Sequence, residues 1–340
     1  MATFPDRRRM AFLVLAVALS IPAAGIHAVA QYTQTTLVTT TQDPNLTNAW
    51  GLAYAPGSPF WVSDEHSGKS TIYDATGSII PLVVTVPAAK KGAKGTPAGI
   101  VANTTTGFVI SQGGVSGPAA FIFSTLDGTI SGWNSSVNAT TAVIAVNHST
   151  TANYTGLAIA TMSSGLTVLY AANQATNQIE MYNGKFKLLK TFTDPALTGL
   201  SVYGVQTING KLYVTFGGAG GAVDIFALSG TLIRTVTSNG SAGPLKNPWG
   251  VAIAPKNFGT LSNSLLVGNV TGGRINAFNL STGAFKSVLK DKSGQPITNP
   301  GLWALQFGGG GGSSSNGNTN QLFLTAGTNG YSTGVFAVIQ

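Results

Sequence analysis

The chain has 340 residues, a formal net charge of +8 and no cysteine, and only 8% of it is charged. A charged share so far below the usual level of about 25%, made up by Gly, Ser, Thr and Asn, argues for a β fold, because helical proteins draw heavily on Glu and Lys. Without cysteine, disulfides, thiolate metal sites and cysteine nucleophiles are excluded; the scattered lysines form no basic stripe with interleaved aromatics, so nucleic acid is not an expected partner.

The chain opens on an address. Arg7, Arg8 and Arg9 precede the apolar run Met10 to Ile21, Pro22 ends that run, and Ala28-Val29-Ala30 stands before Gln31. A basic region, a short apolar core and small residues at the scission point make a secretory signal over residues 1–30. Residues 31–340 are then expected as one exported domain, periplasmic or extracellular and monomeric. No later stretch is apolar over the length a bilayer requires, so no membrane span is expected after cleavage.

From there the chain repeats one motif six times: a short apolar strand, a polar hairpin, and a strand that ends in an aromatic. The first strands of these hairpins are Phe60 to Asp64, Phe121 to Thr125, Leu169 to Asn173, Leu212 to Phe216, Leu265 to Asn269 and Leu322 to Ala326. The aromatics are Tyr73, Trp133, Tyr182, Phe226, Phe278 and Phe336. Their spacing matches propeller blades of about 40–50 residues, two of them lengthened by insertions. Phe108 to Gln112 is one insertion, and the glycine run Gly308 to Gly312 is expected as a flexible loop in the sixth copy.

A second signature precedes each hairpin: Trp50-Gly51-Leu52, Ala98-Gly99-Ile100, Thr155-Gly156-Leu157, Tyr203-Gly204-Val205, Trp249-Gly250-Val251 and Leu302-Trp303-Ala304-Leu305. These runs read as innermost strands buried on both faces, with glycine where backbones crowd together. A turn and a fourth strand follow each aromatic, as at Asn183-Gly184. The last copy lacks its fourth strand, while Tyr32 to Thr40 is a strand with no blade of its own. The expected fold is therefore all-β: a six-bladed β-propeller of four-stranded antiparallel blades, its ring closed by the N-terminal strand pairing into the last blade, which leaves no open edge there.

The hairpin with its Ile-x-x-aromatic second strand resembles NHL-type repeats. More closely, Asn48-Ala49-Trp50-Gly51-Leu52-Ala53, Phe60-Trp61-Val62-Ser63-Asp64, Asp127-Gly128-Thr129-Ile130-Ser131-Gly132-Trp133-Asn134, Asn247-Pro248-Trp249-Gly250 and Leu322-Phe323-Leu324-Thr325-Ala326-Gly327 make the chain resemble a family of uncharacterised exported bacterial β-propeller proteins. The resemblance covers nearly all of residues 31–340 and implies the fold rather than an activity.

Candidate chemistry gathers at the ends of the second strands. Asp64, Thr125, Asn173 and Asn269 are expected to face one mouth of the central channel, where Asp64, Asn173 and Asn269 offer oxygens to a polar ligand or weakly to calcium. Asp and Asn also start hairpin turns by bonding their own backbone, which explains them without any ligand. His66, in Asp64-Glu65-His66-Ser67, pairs a histidine with carboxylates as a general base would require; on a tight turn such neighbours are expected to splay apart. The tryptophans recur at matching positions and read as core. No catalytic residue and no cofactor is assigned. A binding or scaffold module presenting its loop face to a protein, glycan or small ligand is the leading function, and a calcium-dependent hydrolase of lactonase type is the alternative.

Overall fold

A computed structural model describes residues 1–2, 32–240 and 242–340; the expected signal, residues 1–30, lies outside them apart from its first two residues. The described chain forms six four-stranded antiparallel sheets and one two-stranded hairpin. The innermost strands are Ala49–Ala53, Pro97–Ala102, Tyr154–Thr161, Leu200–Ile208, Pro248–Ile253 and Leu302–Phe307. Burial falls outward: the second strand Phe60–Asp64 is buried at every position, whereas the outer strand Leu188–Phe192 is mostly exposed. The extra hairpin, Val109–Gln112 with Val115–Pro118, is the insertion expected in blade two.

Ring closure follows the expected route. Gln34–Thr39 pairs with Thr333–Ile339, from Gln34 opposite Ile339 to Thr39 opposite Val335, with a bulge between Thr36 and Val38. Val38 is buried by this pairing. Tyr32 adds a second tie, to blade five: its hydroxyl donates to Phe258 O at 2.8 Å and its ring stacks on Phe258 at 4.7 Å between centroids.

Two details differ from the sequence reading. The position of the third-strand aromatic is defined by what it pairs with: Phe60 opposes Tyr73, Leu169 opposes Tyr182, and Leu265 opposes Phe278. In blade six the residue opposite Leu322 is Ile339, not Phe336. Three residues along a strand reverse the face, so Phe336 packs with Phe60 and Tyr73 toward blade one while Ile339 joins the cluster toward blade five. The glycine run is also pinned rather than loose. Gly309 N donates to Asn316 O and Gly310 N to Gly317 O, and the buried Asn316 donates its amide to Ser58 O at 3.0 Å, tying blade six to blade one.

The core is a set of six inter-blade clusters and a seventh on the axis. Glycine makes the inner packing possible. A Cβ on Gly51 would stand 2.3 Å from Ala98 O, one on Gly204 2.3 Å from Trp249 O, and one on Gly250 2.4 Å from Trp303 O. Five of the six inner strands thus rest a glycine on the backbone of the next blade, the close approach for which a missing side chain is required, while blade six carries Ala304 there.

Candidate functional site

Asp64, Thr125, Asn173 and Asn269 lie together at one end of the ring. Each ends a second strand and opposes the first residue of its inner strand: Ala49, Pro97, Tyr154 and Pro248 respectively. They do not form a solvated rim, because none is more than 2% exposed. A second strand stands one inter-strand spacing, about 4.8 Å, behind the strand that borders the axis, and its end is covered by the loop entering the blade.

These side chains are spent on their own blades. Asp64 Oδ2 accepts from Thr71 Oγ1 at 2.8 Å, and Asn173 Nδ2 donates to Glu180 Oε1 at 2.7 Å. Asn269 and Asn276 both donate to Pro244 O, at 2.8 and 2.6 Å. The same spacing recurs in three blades, a strand-end residue and one seven positions on across the hairpin: Asp64 and Thr71 bond each other, Asn173 and Glu180 bond each other and hold Asn153 N and Tyr154, and Asn269 and Asn276 both hold Pro244. Thr125 bonds Thr129 and Asp127 instead. Asp64, Asn173 and Asn269 make no hydrogen bond to one another, and no group of three or more His, Asp or Glu gathers among the described residues.

Two buried carboxyls are left short of donors. Burial pushes Asp64 well above the usual carboxylate range, Thr71 opposing and nearby Asp43 adding to the rise; its Oδ1 has no partner. Asp224, on the third strand of blade four, is pushed up to about 7, first by burial and further by the Asp194 carboxyl, against the pull of Thr235. Neither Asp224 oxygen has a well-formed hydrogen bond.

Both described histidines touch glutamates. His66 Nε2 lies 3.1 Å from Glu65 Oε2, so these neighbours meet rather than splay. Glu65 also accepts from Asn48 Nδ2 at 2.9 Å, and Asn48 Oδ1 accepts from Trp303 Nε1 at 2.8 Å. His148 Nδ1 stands 3.0 Å from the Tyr154 hydroxyl, which donates to Glu180 Oε2 at 2.7 Å. Tyr73 donates to Asp43 Oδ2 at 2.9 Å in the same way. Since Asp43 and His148 both sit on connections between blades, these contacts read as clasps on incoming loops.

The axis at this end is plugged. Trp50 and Trp303 stack at 3.5 Å between centroids, and Trp249 meets both edge-on at 6.4 and 6.3 Å. Trp249 Nε1 donates to Thr155 O at 2.8 Å, while Trp50 Nε1 is buried with no partner. Trp61 and Trp133 instead pack between blades one and two. The tryptophans are core, as expected, but three of them gather on the channel.

Beyond the indoles the channel opens toward the other end, into a cavity of about 290 Å³. Its wall is Leu52, Ala53, Tyr54, Ile100, Leu157, Val205 and Leu305, among others, with Trp249 at the floor and Gln206, Thr207 and Gln306 as polar members. No residue in the wall carries a charge. Gln206 Nε2 donates to Gln306 Oε1 at 3.0 Å. None of the five residues singled out from sequence lines this cavity. The signal that marks it is Gln206 and Gln306, one position past the inner-strand motif.

The fold and the channel define a six-bladed β-propeller with one end closed by indoles. No family model matches the chain. Three uncharacterised proteins of Acanthamoeba polyphaga mimivirus are similar to it. R648 is 29% identical over 286 residues, covering 77% of this chain and 69% of R648. L690 is 28% identical and covers 77% of this chain and 74% of L690; R640 is 34% identical over 57% of this chain and 39% of R640. These relatives are viral, so they do not bear on a bacterial origin or on export. Among solved structures, a streptogramin B lyase superposes with a TM-score of 0.54 at 12% identity, covering 92% of this chain and 99% of the lyase. The selenomethionine form of virginiamycin B lyase from Staphylococcus aureus gives 0.54 at 11% identity over 91% and 99%. The WD40 propeller of Doa1 gives 0.51 at 10% identity over 91% and 97%. At such identities the likeness is one of fold. No helix among the described residues is long and apolar enough to cross a membrane.

Proposed function

We propose that this chain is an exported binding propeller and that its central channel holds a small neutral ligand. One observation carries the reading: a channel blocked at one end by stacked indoles and open at the other into an uncharged cavity of about 290 Å³, at the lower end of small-ligand sites. Apolar walls with a few placed amides suit recognition. General acid–base work requires a titratable group within hydrogen-bond reach of the substrate, and the only one in the wall is the Tyr54 phenol, pushed up by burial. The calcium-hydrolase alternative draws no support from Asp64, Asn173 and Asn269, which are buried at the plugged end and make no hydrogen bond to one another. Export rests on the leader, Arg7 to Ala30; intact mass of protein from the native host tests it, and a mass that retains residues 1–30 refutes it.

N-phenyl-1-naphthylamine, a neutral apolar fluorophore, tests the channel. It binds saturably and one to one, with energy transfer from tryptophan. Ala53→Phe, which fills the cavity from a half-buried wall position, abolishes binding while the melting temperature holds. Absence of saturable binding, or binding indifferent to Ala53→Phe, overturns the reading.

A further inference from the structure

The inner strands carry a comparable position one residue past the glycine (Ala304 in blade six) and its apolar neighbour. In blades one to six it is Ala53, Val101, Ala158, Gln206, Ala252 and Gln306. Four blades show that the fold is satisfied there by a small apolar side chain. Glutamine loses more rotamer freedom on being ordered than alanine or valine. Two glutamines at this position therefore ask for a reason outside the fold.

Their geometry supplies one. Gln206 and Gln306 lie a hundred residues apart, on blades four and six, and bridge past blade five with a single bond, Gln206 Nε2 to Gln306 Oε1 at 3.0 Å. The Gln206 carbonyl is left without a protein partner, and the Gln306 amide also faces the Tyr54 hydroxyl. A carboxamide presents a carbonyl and an N–H side by side. It makes two parallel bonds only with a group that offers the complementary pair on one edge.

We propose that the channel receives a neutral ligand with a cis-amide edge, a lactam, imide or primary amide, on a compact apolar body. The ligand parts the two glutamines and pairs doubly with one of them: its N–H donates to the glutamine carbonyl, and its carbonyl accepts from the glutamine NH2. The apolar body lies against Leu157, Val205 and Trp249. A single trans peptide group does not match, because it turns its N–H and C=O to opposite sides. A charged ligand does not match either, since no wall residue carries the opposite charge and desolvating an unpaired charge is costly.

The proposal rests on the channel being the binding site, and the test separates the two claims. Calorimetric affinities are compared for 2-quinolinone, a flat lactam, and 2-methoxyquinoline, the same ring system without the N–H. The parent chain is expected to prefer the lactam about tenfold, the worth of roughly one to two net hydrogen bonds. Gln206→Ala combined with Gln306→Ala installs the residue that blades one, three and five already carry, and it is expected to bring the ratio near one. A ratio between two ligands on one protein does not depend on modest changes in stability. Equal affinities in the parent, or a preference that survives in the double variant, overturn the amide proposal and leave channel binding standing. If neither compound binds, both claims fall.

Discussion

Asp224 offers a direct measure of what burial costs this fold. The residue is fully buried opposite Val214, and Thr235 on the outer strand opposes it from the other side. The Asp194 carboxyl comes from the connection into the same blade. Unfolded, the group titrates near 3.9; folded, it is pushed up to about 7. The fold therefore favours the protonated carboxyl. That preference stabilises fully below about pH 4, is lost progressively as pH rises, and is gone above about pH 7. Some three units at 1.36 kcal/mol each set a ceiling of about 4 kcal/mol. Asp224→Asn keeps the shape and removes the charge. Relative to the parent, the variant is expected to gain 2–4 kcal/mol between pH 4 and pH 8 (roughly, by the same linkage) and to be the more stable form at pH 8. Urea unfolding followed by tryptophan fluorescence at four or five pH values measures it. The remaining titrating groups are common to both proteins and cancel in the difference, which reports the Asp194–Asp224 pair as a unit. Parallel stability curves from pH 4 to pH 8 would refute the reasoning.

Deleting residues 32–40 removes the ladder with Thr333–Ile339 and the buried side chains of Tyr32 and Val38. At roughly 1.5–3 kcal/mol for each buried side chain, and with a bared edge on the last blade, the truncated chain is expected to melt about 10 °C lower and to aggregate with rising concentration. An unchanged melting temperature in a monomeric product would break the ring-closure account. Gly204→Ala places a Cβ 2.3 Å from Trp249 O and 2.8 Å from Thr215 Oγ1, an overpacking expected to cost about 1–3 kcal/mol. Chemical unfolding that detects less than a few tenths of that range would show the inner ring to be slacker than its contacts imply.

Blade number and closure were legible because they are properties of spacing. A missing strand at one end and a surplus one at the other require no three-dimensional knowledge, and Gly51, Gly99, Gly156, Gly204 and Gly250 announce a crowded axis by recurrence alone. Phe336 was misplaced for a local reason: the true equivalent of Tyr73 is Ile339, which has no ring to catch the eye, and only the pairing with Leu322 reveals it. The recurrence of the strand ends was legible, but their burial depends on loops from neighbouring blades. Pro244 caps Asn269 from 25 positions upstream, and no periodicity reports that. The plug was hidden for the same reason, since Trp50 and Trp303 meet across 253 positions of chain. The glycine run looked flexible because composition carries no information about Asn316 docking on Ser58.

The departures from the repeat sort into two kinds, and the two ends of the molecule keep them apart. At the plugged end, polar departures such as Glu180, Asn276 and Asp64 each acquire a partner within their blade or its incoming loop. They replace one another across blades with little regard to charge, as expected where the requirement is simply to satisfy a buried loop. At the open end, Gln206 and Gln306 are the same residue in two blades, and they bond each other across the channel. In a fold built from six near-equivalent units, a polar side chain that braces its own unit is explained by the unit. One that reaches past a neighbouring blade to meet its twin is not explained by its own unit, and that is the ground for the proposed ligand.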